Sequence, residues 1–174
     1  VFTNDPTTRV DDAEYLLAQE KQQLLYDWNA TGSDYERESD VLDLFAHIVS
    51  QNKDKIAVQK GDERVTYLQL DSMSNHIALA LQEKQVLTGQ RVGVCADRSI
   101  ETIAAILGIL KAGAAYVPLD PAYPVERLQY MIEDSQASVI VAHRHLADSL
   151  PSAESSILLL DGFRTTVEPI SGLD

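Results

Sequence analysis

Few side chains in this sequence combine a reactive type with a useful spacing. Cys95 is the single cysteine and ends the apolar run Val92-Gly93-Val94-Cys95. A thiol reacts as its thiolate and needs a base or cation beside it. None is near in sequence, so an inert buried thiol is expected. His143-Arg144-His145 has a possible metal-ligand spacing, but no carboxylate or cysteine cluster accompanies it. It reads as a solvated loop at a strand end. Asp120 lies between Pro118 and Pro121 and reads as a strand-exit turn. Lys111 could meet a phosphate, yet a cation in the last turn of a helix answers the helix dipole more simply. The eight glycines form neither GxxxxGK[ST] nor GxGxxG, the two loops whose backbone N–H groups cradle phosphates. No catalytic, cofactor-binding or metal-binding residue is therefore assigned.

The elements that would position these residues follow from periodicity. Asp11 and Asp12 open a helical stretch in which Leu17, Leu24, Leu25 and Trp28 share one face; this amphipathic stripe must dock on something. Residues 29–40 are polar and turn-rich. A second helix carries Leu42, Phe45, Ile48 and Val49. A hairpin follows, with Gly61 at its turn supplying positive φ. Thr66 and Gln69 have capping-box spacing ahead of a helix bearing Leu70, Met73, Ile77 and Leu81.

From Gly89 onward, short apolar strands alternate with helices. Val92–Cys95 is a strand. Asp97 or Ser99 caps a helix whose buried face is expected at Ile103, Ile106, Leu107 and Leu110, with Gly113 as its left-handed end. Ala115–Val117 is a strand, and Pro124 opens a helix presenting Leu128, Met131 and Ile132. Ser138–Ala142 and Ile157–Leu160 complete the set. This pattern predicts an α/β fold: a partial doubly wound parallel sheet, covered on both faces and preceded by an amphipathic linker helix. The tail from Gly162 reads as a loop.

Composition narrows the function. The net charge is −13, from 14 Lys+Arg against 27 Asp+Glu. That field repels nucleic-acid phosphates and anionic lipid, so neither nucleic acid nor membrane is expected as a partner. No apolar run approaches the ~20 residues of a membrane span. No basic, apolar leader opens the chain, and the lone cysteine cannot pair internally. Together these predict a cytoplasmic setting, in which the sequon at Asn29-Ala30-Thr31 is a chance match.

Two segments say more. The run from Leu110-Lys111-Ala112-Gly113 through Tyr116-Val117-Pro118-Leu119-Asp120-Pro121 to Tyr123-Pro124-Val125-Glu126-Arg127-Leu128-Gln129-Tyr130-Met131 resembles the second core motif of nonribosomal peptide synthetase adenylation domains. Val65-Thr66-Tyr67-Leu68-Gln69-Leu70 resembles the first. The family usually has Leu at Val65 and Glu at Gln69; both changes keep the physical role. Residues 11–35, ending Tyr26-Asp27-Trp28-Asn29-Ala30-Thr31, resemble the linker from a condensation domain.

The resemblance implies residues 1–35 as the end of a condensation domain with its linker helix, and 36–174 as the front of an adenylation domain. The complete domain would activate an amino acid with ATP and Mg2+ to an aminoacyl-adenylate. It would then load a phosphopantetheine thiol on a carrier domain. The family's Ser/Thr/Gly-rich phosphate loop is not found here, so this stretch alone is expected to be inactive. Its partners would be the remainder of the adenylation domain, the upstream condensation domain and the downstream peptidyl carrier domain. Leu17, Leu24, Leu25 and Trp28 would dock the linker on the adenylation body. The alternatives are a non-catalytic scaffold module and a piece of a freestanding acyl- or aryl-acid ligase.

Overall fold

The computed structural model describes residues 16–34, 37–151 and 155–163. They belong to two units, one within residues 1–38 and one from residue 39 onward. The expected boundary at 35/36 and the helix start at Asp11–Asp12 lie outside the described residues.

In the first unit, helix α1 spans Ala18–Gln22 and continues into a π-helical turn, Gln23–Asp27. The Glu20 carboxylate accepts the N–H of Leu17 at 2.9 Å, closing the free N-terminal end.

The second unit opens with α2, Val41–Asn52. Its start is a reciprocal cap that the pattern reading missed. Asp40 accepts the N–H groups of Leu42 and Asp43 at 2.7 and 2.9 Å, and Asp43 accepts the N–H of Asp40 at 3.0 Å. Strands β1 (Ile56–Lys60) and β2 (Glu63–Thr66) pair antiparallel around Gly61-Asp62. Gly61 takes φ +61° there, as a two-residue turn requires. Thr66 and Gln69 then close the expected capping box, with bonds of 2.9 and 3.2 Å. Helix α3, Tyr67–Glu83, buries Leu70, Met73, Ile77 and Leu81.

Four parallel strands follow: β3 (Arg91–Cys95), β4 (Ala115–Pro118), β5 (Val139–Ala142) and β6 (Ser156–Leu159). Their order is β4-β3-β5-β6. The chain moves outward once from β3 and then crosses back, the hallmark of a doubly wound sheet. Helices α4 (Ile100–Lys111), α5 (Val125–Ser135) and the short α6 (Arg144–Ala147) connect them. Pleating sorts the side chains. Val92, Val94, Val139 and Val141 join the core under α3 and α4, while Cys95, Ile140 and Ala142 join Leu128 and Ile132 of α5. Gly93 lacks a side chain where Leu119 fills the space; a Cβ there would lie 2.9 Å from Leu119 Cδ1.

Several expectations need correction. Helix α4 does not bury the face of its large residues. Ala104, Ala105, Gly108 and Ile109 are buried, whereas Ile103 is 39% exposed and Ile106, Leu107 and Leu110 are half-buried. The small face wins because it lets α3 approach closely: a Cβ on Gly108 would sit 2.8 Å from Ile77 and from the Ser74 carbonyl. On α2, Ile48 is exposed and only Val49 is buried. Pro124 stands one residue before α5, not inside it. Leu160 leaves the last strand for a 3-10 turn through Gly162, and Leu160 is fully buried.

Candidate functional site

An open α/β sheet places its crevice at the carboxyl ends of the strands, where the chain changes direction. Here that is the junction of the β3–α4 and β5–α6 segments. Residues far apart in sequence meet there, and two cavities open beside them. One, of about 320 Å³, is lined by Lys60, Glu63, Glu101, His143, His145 and Asp161 among others. The other, of about 680 Å³, lies over the ends of β3 and β4 and includes Arg98, Thr102, Tyr116, Asp120, Tyr123 and Arg127.

His143 is the centre of the junction and is buried, not part of a solvated loop. Its Nδ1 accepts the N–H of Asp97 at 3.1 Å. That nitrogen therefore carries no proton, and the ring proton sits on Nε2. Nε2 faces Ser99 Oγ at 3.2 Å. Ser99 Oγ also accepts the Thr102 N–H at 3.1 Å, capping α4, and lies 3.0 Å from Thr102 Oγ1. Thr102 Oγ1 donates to the Asp97 carbonyl at 2.6 Å. Each proton thus has one direction: His143 to Ser99, Ser99 to Thr102, Thr102 to Asp97.

This looks like a Ser-His-Asp set, and it fails the chemical test. A general base must offer a free lone pair to the hydroxyl. The His143 nitrogen facing Ser99 bears the proton, and the Asp97 carboxylate pairs with His145 at 2.8 Å. Both members of that pair are more than half exposed, so it contributes little. The two imidazoles stack with centroids 5.7 Å apart. The arrangement is a clasp that ties two strand-end segments together. Asp161 accepts the Arg144 N–H at 2.7 Å. That hydrogen bond, against weak desolvation, holds its carboxyl below the usual range.

The remaining candidates have structural partners. The Cys95 thiol is fully buried and is pushed up by burial, then by the charges of Asp120 and Asp97; it is a thiol, not a thiolate. Asp120 accepts the N–H of Ala122 at 2.9 Å while its carbonyl takes that of Tyr123 at 3.0 Å, the expected strand-exit turn. The Arg127 guanidinium stacks 3.9 Å from the Tyr123 ring centre. Lys111 does not serve its own helix end. Its Nζ reaches across to α3, 2.6 Å from Asp71 Oδ1 and 2.5 Å from Asn75 Oδ1, with Phe45 of α2 beneath it. Among the described residues no three His, Cys, Asp or Glu side chains are grouped to hold a metal, and no helix is long and apolar enough to cross a membrane. In the first unit Leu17, Leu24, Leu25 and Trp28 are all exposed. Sequence offered no signal for the His143–Ser99 contact, which spans 44 residues.

The strand order defines a doubly wound α/β fold with two cavities beside its switch point. The family model for AMP-binding enzymes matches residues 45–169, and the chain belongs to that family. Its relatives make it the N-terminal part of a nonribosomal peptide synthetase adenylation domain. A linear gramicidin synthase of Brevibacillus parabrevis is 40% identical over 99% of this chain, which spans 2% of that relative. A four-domain nonribosomal peptide synthetase, holo-AB3403, solved with AMP and glycine, is 36% identical at TM-score 0.67 over 72% of this chain and 9% of its own. The synthetase FmoA3, solved with AMPPNP, shares the fold at TM-score 0.74 and 24% identity over 98% of this chain and 19% of its own.

Proposed function

We propose that this chain is the packing scaffold of a domain that activates an amino acid with ATP and passes it, as an aminoacyl-adenylate, to a phosphopantetheine thiol. The observation that carries this reading is 40% identity across 99% of the chain to a linear gramicidin synthase. Nucleotide in two matched synthetase structures, AMP in one and AMPPNP in the other, supports ATP as the activating substrate. Mg2+ would accompany ATP; among the described residues no three His, Cys, Asp or Glu side chains are grouped to hold it. No step is therefore assigned to it. The phosphate-binding and pocket residues would come from the remainder of the adenylation domain. The condensation and peptidyl carrier domains would be its neighbours in a cytoplasmic assembly.

Leu17, Leu24, Leu25 and Trp28, the exposed apolar stripe of the first unit, are in this reading interdomain docking residues. The test is ATP–pyrophosphate exchange by the chain alone and mixed with the downstream remainder. Exchange only on mixing is expected. Exchange by the chain unaided refutes the scaffold assignment. A stable mixture that never exchanges points to a non-catalytic module.

A further inference from the structure

The larger of the two cavities carries side chains that the scaffold reading does not use. Its volume is about 680 Å³, within the range of small-molecule sites, about 300–1,000 Å³. It lies wholly in the second unit, over the carboxyl ends of β3 and β4, the end at which parallel sheets receive ligands. Ile106 and Met131 belong to its apolar wall. Ile106 is available there because α4 gives its small face to α3. Tyr116 of β4 adds a ring that is 44% exposed.

Charge decides which class of ligand fits. Two carboxylates and two guanidiniums line the cavity. The carboxylates are engaged: Asp97 pairs with His145 at 2.8 Å, and Asp120 accepts the N–H of Ala122 at 2.9 Å. The guanidiniums are not. Among the described residues neither the Arg98 nor the Arg127 side chain has an ion-pair or hydrogen-bond partner, and Arg127 has only the ring of Tyr123, 3.9 Å away. That contact steadies the guanidinium and uses none of its N–H donors. The chain holds 27 acidic residues against 14 basic ones. Two arginines left unpaired on one cavity of such a chain point to an oxyanion from outside, which a guanidinium binds through two parallel hydrogen bonds.

We propose that this cavity is a ligand site in its own right, for a carboxylate or phosphate carried on a planar apolar body. Arg98 and Arg127 hold the oxyanion; Tyr116, Ile106 and Met131 flank the body. The site is separate from the amino-acid activation proposed above. Phenyl phosphate, benzoate, inorganic phosphate and benzyl alcohol, titrated into the full chain at low salt, test each part, with the arginine Nε–H signals followed by NMR. A Kd on the order of 1 mM is expected for at least one of the two aryl anions. The tighter of the two names the oxyanion, and equal binding supports the shared class. Arg98→Gln and Arg127→Gln should each weaken that binding about tenfold. Inorganic phosphate, which lacks the ring, and benzyl alcohol, which lacks the charge, should each bind about tenfold more weakly than the aryl anion. Both arginines are exposed, so thermal melts of the variants should match wild type and control for misfolding. Binding that survives the Arg98→Gln, Arg127→Gln double variant lies elsewhere and overturns the proposal, as does the absence of saturation up to about 20 mM. Benzyl alcohol binding as tightly as the aryl anion refutes the oxyanion, and inorganic phosphate doing so refutes the planar body.

Discussion

Gly108 offers the sharpest test of how the two-helix layer is built. It lies at the contact of α3 with α4, where an added Cβ would meet Ile77 Cβ, Ile77 Cγ2 and the Ser74 carbonyl, each at 2.8 Å. Ordinary carbon contacts lie at about 3.5–4.0 Å, so Gly108→Ala must separate the helices by roughly 1 Å or distort them. Alanine favours a helix interior over glycine by about 1 kcal/mol. Overpacking costs about 1–3 kcal/mol, and the upper part of that range applies here. The blocking atoms are a branched Cβ and a backbone carbonyl, not the end of a flexible side chain. The net expectation is a loss of about 1–2 kcal/mol, or about 4–8 °C in Tm for a unit of this size. Differential scanning fluorimetry and urea melts measure it. Ile77→Ala in the Gly108→Ala background should lose about 0.5–1 kcal/mol less than the sum of the single changes. The relief is partial, because Ile77 Cβ and the Ser74 carbonyl remain. A Gly108→Ala protein that melts at or above wild type would show that the small face of α4 is not what sets the helix separation.

Two further outcomes follow from the clasp and from Lys111. Ser99→Ala removes the α4 cap and leaves the His143 Nε2–H without its acceptor, so a loss of about 2 kcal/mol is expected; Asp97→Ala, which breaks an exposed pair, should cost under about 1 kcal/mol by the same urea melts. Equal losses would refute the assignment of the cap to Ser99. Lys111 is held below the ordinary lysine range by burial, against the pull of Asp71. Between that lowered value and the unfolded one, the unfolded chain binds the extra proton, so this group's contribution to stability rises with pH across the window. The stability of wild type minus that of Lys111→Met should therefore grow as pH rises toward the ordinary lysine value of about 10.4, and a shrinking difference contradicts the burial argument.

What the sequence revealed was whatever depends on neighbours along the chain. The Thr66–Gln69 capping box, the Gly61 turn and the stripe Leu70, Met73, Ile77 and Leu81 were legible because each is settled within a few residues. Gly113 was legible as a left-handed helix end and has φ +74°. The burial of α4 was not. Hydrophobicity points to Ile103 and Ile106, but the partner helix selected the face that allows close approach, a quantity set by α3. The same holds for Lys111, whose partners Asp71 and Asn75 lie 40 and 36 residues away. His143 reads as loop in the sequence because its acceptor and donor come from the segment after β3, which only the strand order brings alongside.

The same long-range packing accounts for much of the most recognisable run in the sequence. From Lys111 to Ile132 several residues have packing roles. Lys111 bridges α4 to α3. Gly113 turns the chain with Thr88 only 2.8 Å from where a Cβ would stand. Asp120 closes the exit turn of β4, Arg127 stacks on Tyr123, and Leu128 and Ile132 fill the core beneath α5. Such residues constrain one another through distances below 4 Å, so a change in one requires a change in several. That coupling alone is enough to make a segment distinctive, without any of its atoms touching a substrate. The clasp at the switch point fits the same logic. At the switch point His143, Ser99 and Asp97, brought together from two strand ends, satisfy one another in the same way.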